Sequence, residues 1–278
     1  MEAAMEFSSD VLSLDVDGHV ATLWLDRPEA RNALGRALWR DLPVACEALG
    51  ADHEIRAVVL AARGPHFSVG LDLKELAGPL VTPVPAASPA AASAASYGAV
   101  REMQASVNAL ANLAVPVVAA VHGYCIGGGV DLICAADIRL ASADALFSVR
   151  ETKVAIVADL GTLQRLPRIV GAGHVAELAF TGEDITAARA ESIGLVNAVH
   201  DSFDDVLAAA RDLAARIAAN SPLAVRGTKA VLRAADERAI ADGLDFVARW
   251  NTMYLKSNDL AEAMAAFVER RPPVYRGD

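Results

Sequence analysis

Three consecutive glycines at positions 127–129 constrain this chain more than any other feature. They follow an apolar run (115–121) that is typical of a buried strand, and they precede a segment with helical character. Glycine at such a junction lets a ligand approach the unpaired N–H groups of the first helical turn. We expect these groups, with a second donor from the loop 70–72, to form an oxyanion hole. The alternative is a close-packed turn with no further role.

Three acidic residues follow the glycines: Asp131, Glu151 and Asp159. Asp131 lies about one turn into the predicted helix. Two predicted strands, 137–141 and 145–148, precede Glu151, and a hairpin of these strands would return it to the same pocket. Asp159 follows the apolar residues 154–158, and apolar surroundings raise a carboxyl pKa toward neutrality, which suits proton transfer.

Two of these acids have structural alternatives. A carboxylate such as Asp131 is favourable near the positive end of its own helix without any catalytic role. Asp159 resembles an N-cap of the helix predicted over residues 161–170.

Strands and helices alternate along the chain, which predicts the α/β class. The pair Asp17 and Gly18 separates two alternating segments and predicts a hairpin. Helices are expected over residues 33–49 and 100–113, and the segment 185–194 is predicted to be helical after an N-cap at Thr186.

The chain is mostly helical from residue 205 onward, so we predict two units, 1–204 and 205–278. Residues 78–98 are rich in Ala, Pro and Ser, which predicts a loop rather than packed structure.

Composition excludes several classes of protein. The net charge is −10 and the basic residues are scattered, which argues against nucleic acid or membrane surfaces as partners. The three cysteines form no C-x-x-C pair and lack a nearby histidine at zinc-ligand spacing, so neither a disulfide nor a metal site is expected. No apolar run is long enough to span a bilayer, and the first residues are acidic where a signal peptide would be basic, so we expect a cytoplasmic protein.

Common catalytic and nucleotide-binding motifs are absent from the sequence. There is no G-x-x-x-x-G-K-[ST] and no G-x-G-x-x-G, which argues against an ATPase or a Rossmann dehydrogenase. Ser68 does not form a nucleophile elbow, because His66 stands where that motif requires glycine.

Five long stretches, in order, resemble the crotonase superfamily, the enoyl-CoA hydratase/isomerase family, over nearly the whole chain. They are LDRPEARNAL (25–34), HFSVGLDLKEL (66–76), VPVVAAVHGYCIGGGVDLICAADIRLAS (115–142), GTLQRLPRIVG (161–171) and ITAARAESIGLVNAV (185–199). The resemblance implies a spiral core of strand–strand–helix units and a helical C-terminal region that forms trimers or dimers of trimers. It also implies an acyl-CoA thioester substrate, with no cofactor beyond the coenzyme A of the substrate and no metal.

The resemblance further assigns residues to the site. It implies that the N–H groups of Leu71 and Gly128 hold the thioester oxygen. It implies a substrate-binding set around them: Arg31, Ala33, Val69, Gly70, Asp72, Leu73 and Gly129.

Within this family the acidic trio is most similar to that of Δ3,5-Δ2,4-dienoyl-CoA isomerases, since typical hydratases have glycine in place of Asp159. The implied reaction removes a proton at C2 of a 3,5-dienoyl thioester and adds one at C6. Glu151 and Asp159 would carry the protons and Asp131 would tune Glu151, with the choice of base and acid open. The alternatives are an enoyl-CoA hydratase and a non-catalytic acyl-CoA-binding protein.

Overall fold

A six-stranded sheet in the order β1-β2-β3-β4-β6-β9 forms the centre of the protein. The computed structural model describes residues 7–75 and 88–278. In this sheet β1 is antiparallel to β2, and every other pairing is parallel. The strands are β1 (Leu12–Asp17), β2 (Val20–Leu25), β3 (Ala57–Ala62), β4 (Val117–Val121), β5 (Tyr124–Ile126), β6 (Ile138–Ser142), β7 (Leu146–Ser148), β8 (Ile185–Thr186) and β9 (Ala198–His200).

Helices cover both faces of this sheet, which explains why β2, β3 and β4 are buried at every residue. The α-helices are α1 (Arg36–Ala51), α2 (Pro89–Ala111), α3 (Gly128–Ala135), α4 (Thr162–Arg165), α5 (Ala172–Thr181), α6 (Ala187–Ser192), α7 (Phe203–Ala218), α8 (Pro222–Ala234), α9 (Glu237–Tyr254) and α10 (Asn258–Glu269). None of the helices in the described ranges is long and apolar enough to cross a membrane.

The predicted β1–β2 hairpin is confirmed. Asp17 pairs with Val20 across a two-residue turn, and Gly18 adopts a φ of 56° that favours glycine.

A second, three-stranded sheet has the order β5-β7-β8 and corrects the predicted hairpin of residues 137–148. β6 pairs in parallel with β4 and β9, whereas β7 pairs in parallel with β5. In each of the successive pairs β4–β5 and β6–β7, the first strand therefore belongs to the large sheet and the second to the small one, and a helical segment follows. The hairpin prediction was wrong because neighbouring strands in the chain belong to different sheets.

Several helix boundaries also differ from the predictions. α1 starts at Arg36 and continues to Ala51, so it begins three residues later and ends two residues later than the predicted helix over residues 33–49. The helix expected over residues 161–170 is divided into α4 and a 3₁₀ turn, Leu166–Arg168, where Pro167 lacks a donor N–H.

The segment 185–194 combines the short strand β8 with helix α6. The hydroxyl of Thr186 accepts a hydrogen bond from the Arg189 N–H, so the predicted N-cap is confirmed.

Part of the Ala-, Pro- and Ser-rich segment is helical rather than a loop. Ser88 caps α2 by accepting a hydrogen bond from the Ala91 N–H, and Pro89 occupies the first turn, where its missing N–H has no cost. The loop prediction was therefore wrong for residues 88–98. Residues 78–87 lie outside the described residues.

The C-terminal helices contact the sheet and the other helices directly. On α7, Val206, Ala210, Ala214 and Ala218 recur every four residues and pack on β3 and β4. On α8, the buried Lys229 ammonium donates to Asp137 Oδ2 at 2.6 Å and to the Val115 carbonyl at 2.9 Å. The division of the chain at residue 204 stays a prediction.

Replacing Lys229 with alanine should lower the free energy of unfolding by about 1–3 kcal/mol, because the Val115 carbonyl and the Asp137 carboxylate both lose the buried ammonium that donates to them. Urea unfolding followed by circular dichroism at one fixed protein concentration measures this change. The control is Lys256→Ala at an exposed lysine, which should change the same free energy by less than about 0.5 kcal/mol. Equal effects of the two substitutions would contradict the prediction.

Candidate active site

A cavity of about 160 Å³ lies between the glycine-rich junction, α2, and the segment between β7 and α4. Asp131, Glu151 and Asp159 all line it, so the three predicted acids meet in one place. Most of the remaining wall is apolar, and it consists of Val69, Leu71, Leu73, Val100, Met103, Ile126, Val154, Ile156, Leu160 and Leu255. The site is therefore an apolar chamber that holds three carboxyl groups.

Two backbone N–H groups meet at this cavity, those of Leu71 and Gly128. No described residue accepts a hydrogen bond from either group. The two loops approach so closely that a Cβ on Gly70, where φ is 82°, would lie 2.7 Å from the Ile126 carbonyl oxygen and 3.4 Å from the Gly128 nitrogen. Glycine is required at position 70 for both reasons, and the arrangement has the two free donors that an oxyanion hole needs.

Glu151 begins a 3₁₀ turn, Glu151–Val154, directly after β7. The parallel pairing of β7 with β5, together with a hydrogen bond from the Gly127 N–H to the Ser148 carbonyl, brings this turn beside the glycines. A Cβ added to Gly127 would lie 3.3 Å from the Oε1 atom of Glu151. The Oε2 atom of Glu151 is buried and has no partner among the described residues. Burial, and secondarily the charge of Asp131, raises the pKa of Glu151 to about 8.

Asp131 is buried in the first turn of α3, and its Oδ1 atom accepts two hydrogen bonds from Thr162. The Thr162 N–H donates at 2.6 Å and the hydroxyl at 2.7 Å. Burial raises the pKa of Asp131 to about 6, while these bonds and the Arg165 charge limit the rise. Asp131 thus caps the N-terminus of α4, a structural role that sequence reasoning assigned instead to Asp159.

Asp159 is not a helix cap. Gly161 precedes α4, and Asp159 Oδ2 instead accepts a hydrogen bond from the Asn251 amide of α9 at 2.7 Å. Burial raises the pKa of Asp159 to about 7, and the Asn251 bond opposes this rise. The alternative that Asp159 is the N-cap of this helix is therefore excluded.

The three acids influence one another because they share a water-poor cavity. The charge of Asp131 raises the pKa of both other carboxyl groups, and the charge of Asp159 raises that of Glu151. Three like charges cannot all ionise easily in such a place, so protons stay on the cluster near neutral pH. Groups that hold and release protons near neutrality are suited to acid–base chemistry.

The remaining predicted residues separate into two sets. Val69, Gly70 and Leu73 line the cavity with the donors. Asp72 and Gly129 are not among the residues that line it, and their contact with the substrate stays a prediction.

Asp72 instead supports the donor loop from the outside. Its carboxylate pairs with Arg27 at 2.8 Å and accepts hydrogen bonds from the N–H groups of Lys74 and Glu75. Gly129 supports the other loop, since a Cβ there would be 3.2 Å from the Cβ of Ser68.

Arg31 and Ala33 lie outside the cavity, on the segment that leads to Leu34. Leu34 forms two backbone hydrogen bonds with the donor loop, residues 70–72. The Leu34 N–H donates to the Gly70 carbonyl, and the Asp72 N–H donates to the Leu34 carbonyl. Arg31 is exposed and Ala33 is half-buried. Their predicted contact with coenzyme A stays a prediction.

Sequence reasoning missed the residues that surround the acids. Asn251 and Gln104 are buried and come from helices far from Asp159 in the sequence, and no motif marks them. Thr162 and Arg165 do fall within the stretch GTLQRLPRIVG, so their position in that motif was an available signal. Within residues 7–75 and 88–278, no group of His, Cys, Asp and Glu has an arrangement that could hold a metal ion.

Residues 15–278 match the family model described as "Enoyl-CoA hydratase/isomerase". The chain therefore belongs to the enoyl-CoA hydratase/isomerase family, and the predicted crotonase resemblance and fold class are confirmed. A crystal structure of an enoyl-CoA hydratase from Mycobacterium avium subsp. paratuberculosis K-10 superimposes with a TM-score of 0.82. It is 27% identical, and the match covers 97% of this chain and 100% of that one.

Several curated relatives are Δ3,5-Δ2,4-dienoyl-CoA isomerases. The chain is 43% identical over 257 residues to the mitochondrial Δ3,5-Δ2,4-dienoyl-CoA isomerase of Dictyostelium discoideum, covering 92% of this chain and 87% of that protein. It is 40% identical over 266 residues to the peroxisomal Δ3,5-Δ2,4-dienoyl-CoA isomerase of Arabidopsis thaliana, covering 96% of each.

Asp159→Asn should stabilise the protein at alkaline pH. Because the folded-state pKa of about 7 lies above the ordinary value of 3.8, the stability associated with this carboxyl is complete below pH 3.8 and is lost as pH rises through 7. The amide has no such loss, so the free energy of unfolding should rise by about 2–4 kcal/mol at pH 9 and change little at pH 4.

Urea unfolding at the two pH values measures this difference. Asp17→Asn is the matched control, since Asp17 is exposed and Asn-Gly forms the same turn. A pH-independent effect of Asp159→Asn would contradict the prediction.

Proposed function

We propose that this protein is a Δ3,5-Δ2,4-dienoyl-CoA isomerase, which converts a 3,5-dienoyl-CoA to the 2,4-dienoyl-CoA. The observation that carries the proposal is the presence of Asp159 as a third carboxyl group in an apolar cavity that also holds two free N–H donors. Hydration of an enoyl thioester does not need a proton carrier there, whereas a shift of two double bonds does. The similarity to two isomerases over more than nine-tenths of the chain supports the same reaction.

The N–H groups of Leu71 and Gly128 would hold the thioester oxygen. Removal of a C2 proton places negative charge on this oxygen and along the diene, and two aimed donors stabilise that charge, each by about 3–4 kcal/mol in related sites. The reaction then needs one group that takes the C2 proton and another that protonates C6.

We assign the base to Glu151 and the acid to Asp159. Glu151 contacts the glycine junction that holds the thioester, so C2, the carbon next to the carbonyl, is within its reach. Asp159 is held between α2 and α9, and α2 contributes the apolar residues Val100 and Met103 to the cavity, which suits the acyl tail.

Protons balance over one turnover. The Glu151 carboxylate takes the C2 proton, the double bonds shift to C2=C3 and C4=C5, and the Asp159 carboxylic acid gives its proton to C6. Exchange with solvent then returns Glu151 to the ionised form and Asp159 to the protonated form.

Burial raises the pKa of both carboxyl groups toward neutrality, to about 8 for Glu151 and about 7 for Asp159. Each group can therefore hold or release a proton near neutral pH, as a general base or a general acid must.

Asp131 would tune Glu151 without touching the acyl chain. Thr162 donates twice to one of its oxygens and so favours the ionised form. The resulting negative charge beside Glu151 makes Glu151 a stronger base. Arg31 and Ala33 would contact the coenzyme A portion at the edge of the donor loop, and the proposed chemistry uses no metal or separate cofactor.

The two proton carriers can be tested separately with purified protein. Asp159→Asn should lower diene isomerisation by about 10² or more while it retains Glu151-dependent exchange of the C2 proton with deuterated solvent. Glu151→Gln should lower both. Absorbance of the conjugated diene measures isomerisation, and mass spectrometry of recovered acyl-CoA measures exchange.

Crotonyl-CoA is the comparison substrate for the wild-type protein. Rapid loss of its enoyl absorbance, with no diene formed from 3,5-dienoyl-CoA, would replace the isomerase assignment with a hydratase. Binding of both thioesters with no turnover of either would indicate a non-catalytic acyl-CoA-binding protein.

We also propose that the chain assembles with copies of itself as a trimer or a dimer of trimers. The support is an exposed aromatic row on α9, where Phe246, Trp250 and Tyr254 are 67%, 41% and 57% exposed and recur every four residues. Helices α8 and α10 also expose large apolar side chains, among them Leu223, Val231, Leu232, Phe267 and Val268. Contiguous exposed apolar surface commonly marks a protein interface.

Multi-angle light scattering should give three or six times the chain mass of 29.0 kDa for the wild-type protein. Trp250→Glu should lower this mass, because it places a charge within the aromatic row. Val16→Glu, at an exposed valine of β1, is the control and should leave the mass unchanged. A monomeric wild-type protein at micromolar concentration would refute the assembly.

The cytoplasmic location predicted from the sequence remains part of this proposal. The two isomerases compared above carry the designations mitochondrial and peroxisomal. Fluorescence microscopy of the tagged chain in its own cell, with markers for each compartment, distinguishes the three locations.

A further inference from the structure

Two buried side-chain amides hold the short segment 157–159 from opposite sides. Gln104 of α2 donates from Nε2 to the Asp159 carbonyl at 2.7 Å and to the Leu244 carbonyl at 3.0 Å. Asn251 of α9 donates from Nδ2 to the Val157 carbonyl at 2.9 Å and to the Asp159 carboxyl atom Oδ2 at 2.7 Å. Both amides are almost completely buried, with exposed fractions of 1% and 3%. Only Asn251 touches the carboxyl group itself.

The orientation of the Asn251 amide follows from its two partners. A backbone carbonyl can only accept a hydrogen bond, so the atom that contacts the Val157 carbonyl must be the amide nitrogen. The same nitrogen contacts Asp159 Oδ2, and its two hydrogens are thereby both used. Oδ2 therefore always faces a donor, and an oxygen that faces a donor is disfavoured as the site of a proton.

The other carboxyl oxygen of Asp159 is in a different position. No other described residue donates a side-chain or backbone hydrogen bond to Oδ1. Since Asp159 lines the cavity and Asn251 occupies Oδ2, Oδ1 is the oxygen available to an occupant, with only the backbone N–H of Asp159 itself as a further donor among the described residues.

We propose that Asn251 is a positioning residue that reserves Oδ2 of Asp159 as an acceptor, so that Oδ1 is the atom that carries the transferred proton. The part of this inference that concerns proton transfer rests on the proposed isomerase function. A carboxyl free to rotate would present either oxygen and either protonation site. With Oδ2 held, the proton has one location, and the carboxylate left after transfer keeps a donor that stabilises its charge.

The Asn251 bond also acts on the acidity of Asp159. A donor to the ionised form lowers a carboxyl pKa, so the pKa of Asp159 is lower than burial alone would make it. Loss of the donor should therefore keep Asp159 protonated to higher pH.

Other charged groups around Asp159 must be considered in such a titration. Asp131 and Glu151 share its cavity, and the charge of Asp131 raises the pKa of Asp159. The guanidinium of Arg165 bonds to Asn108, and its charge lowers the pKa of Asp131. Further charged groups on the surrounding elements bond outside the cavity: Arg101 with Gln104, Arg150 with Asp184, and Asp245 with Arg249 and Tyr97. A direct titration of Asp159 separates its own change from changes in these groups.

The experiment is a ¹³C NMR titration of the full-length protein labelled at the aspartate carboxyl carbon, with Asp159→Asn used to assign the Asp159 signal. Asn251→Ala should move the Asp159 midpoint upward by about one pH unit or more, the scale of one charge-assisted hydrogen bond. Asn251→Leu keeps a similar side-chain volume and also removes the donor, so it should move the midpoint upward as well. This second variant provides the measurement if the alanine variant does not fold.

Gln104→Ala is the matched control. This substitution removes an equally buried amide that also bonds to the segment 157–159, but it leaves the bond between Asn251 and the Asp159 carboxyl group in place. The midpoint of Asp159 should therefore stay within about 0.3 of the wild-type value. An unchanged midpoint in the Asn251 variants, or an equal shift in Gln104→Ala, would overturn the role of Asn251.

Kinetics with 3,5-dienoyl-CoA test the catalytic part of the inference. Because the reactive pair has one proton, activity falls at alkaline pH as the pair loses that proton, and Asn251→Ala should move this alkaline limb of kcat upward. A midpoint shift by NMR with no movement of the limb would overturn the assignment of the transferred proton to Asp159. Absence of isomerisation by the wild-type protein would refute the proposed function, and the NMR result would still decide the Asn251 contact.

Discussion

The close approach of two backbone loops, 68–72 and 126–129, is the constraint on which the site depends. Their spacing is set by glycine, because a single added carbon at Gly70 would overlap the Ile126 carbonyl and one at Gly128 would lie 2.7 Å from a Leu34 methyl carbon. This contact brings the N–H groups of Leu71 and Gly128 to one cavity, and neither group has an acceptor within the described part of the chain. The pairing of β5 with β7 then brings Glu151 beside the same glycines, so the donors and the proposed base share one structural origin.

The three carboxyl groups show how similar side chains acquire different proton affinities. Burial raises the pKa of each carboxyl group, but each group has a different set of hydrogen-bond donors. Asp131 accepts two hydrogen bonds from Thr162, and its pKa is raised least. Asp159 accepts one from Asn251, and one oxygen of Glu151 has no partner among the described residues. Burial therefore raises the pKa of all three carboxyl groups, and the hydrogen-bond donors to each group oppose the rise.

The C-terminal helices contribute directly to this chemistry. α9 supplies the contact to Asp159, and Leu255 and residues of α10 pack against the turn that begins at Glu151. Their inner faces thus support the cavity, while the aromatic row of α9 faces outward. The C-terminal helical region thus contributes Leu255 to the lining of the cavity and Asn251 to the carboxyl group of Asp159.

Much of the site could be predicted from local sequence. The glycine junction, the donor loop and the three acids lie in long motifs, and each depends on chain-local chemistry: φ near +80° at Gly70, unpaired N–H groups at a helix start, and a carboxyl next to apolar neighbours. The hairpin at Asp17 and the cap at Thr186 were confirmed for the same reason. What only the tertiary structure decided are contacts between distant segments: the parallel β5–β7 pairing, the capping of α4 by Asp131, and the Asn251 bond to Asp159. Such contacts depend on how elements far apart in the chain pack in space, and no local pattern of residues records that packing.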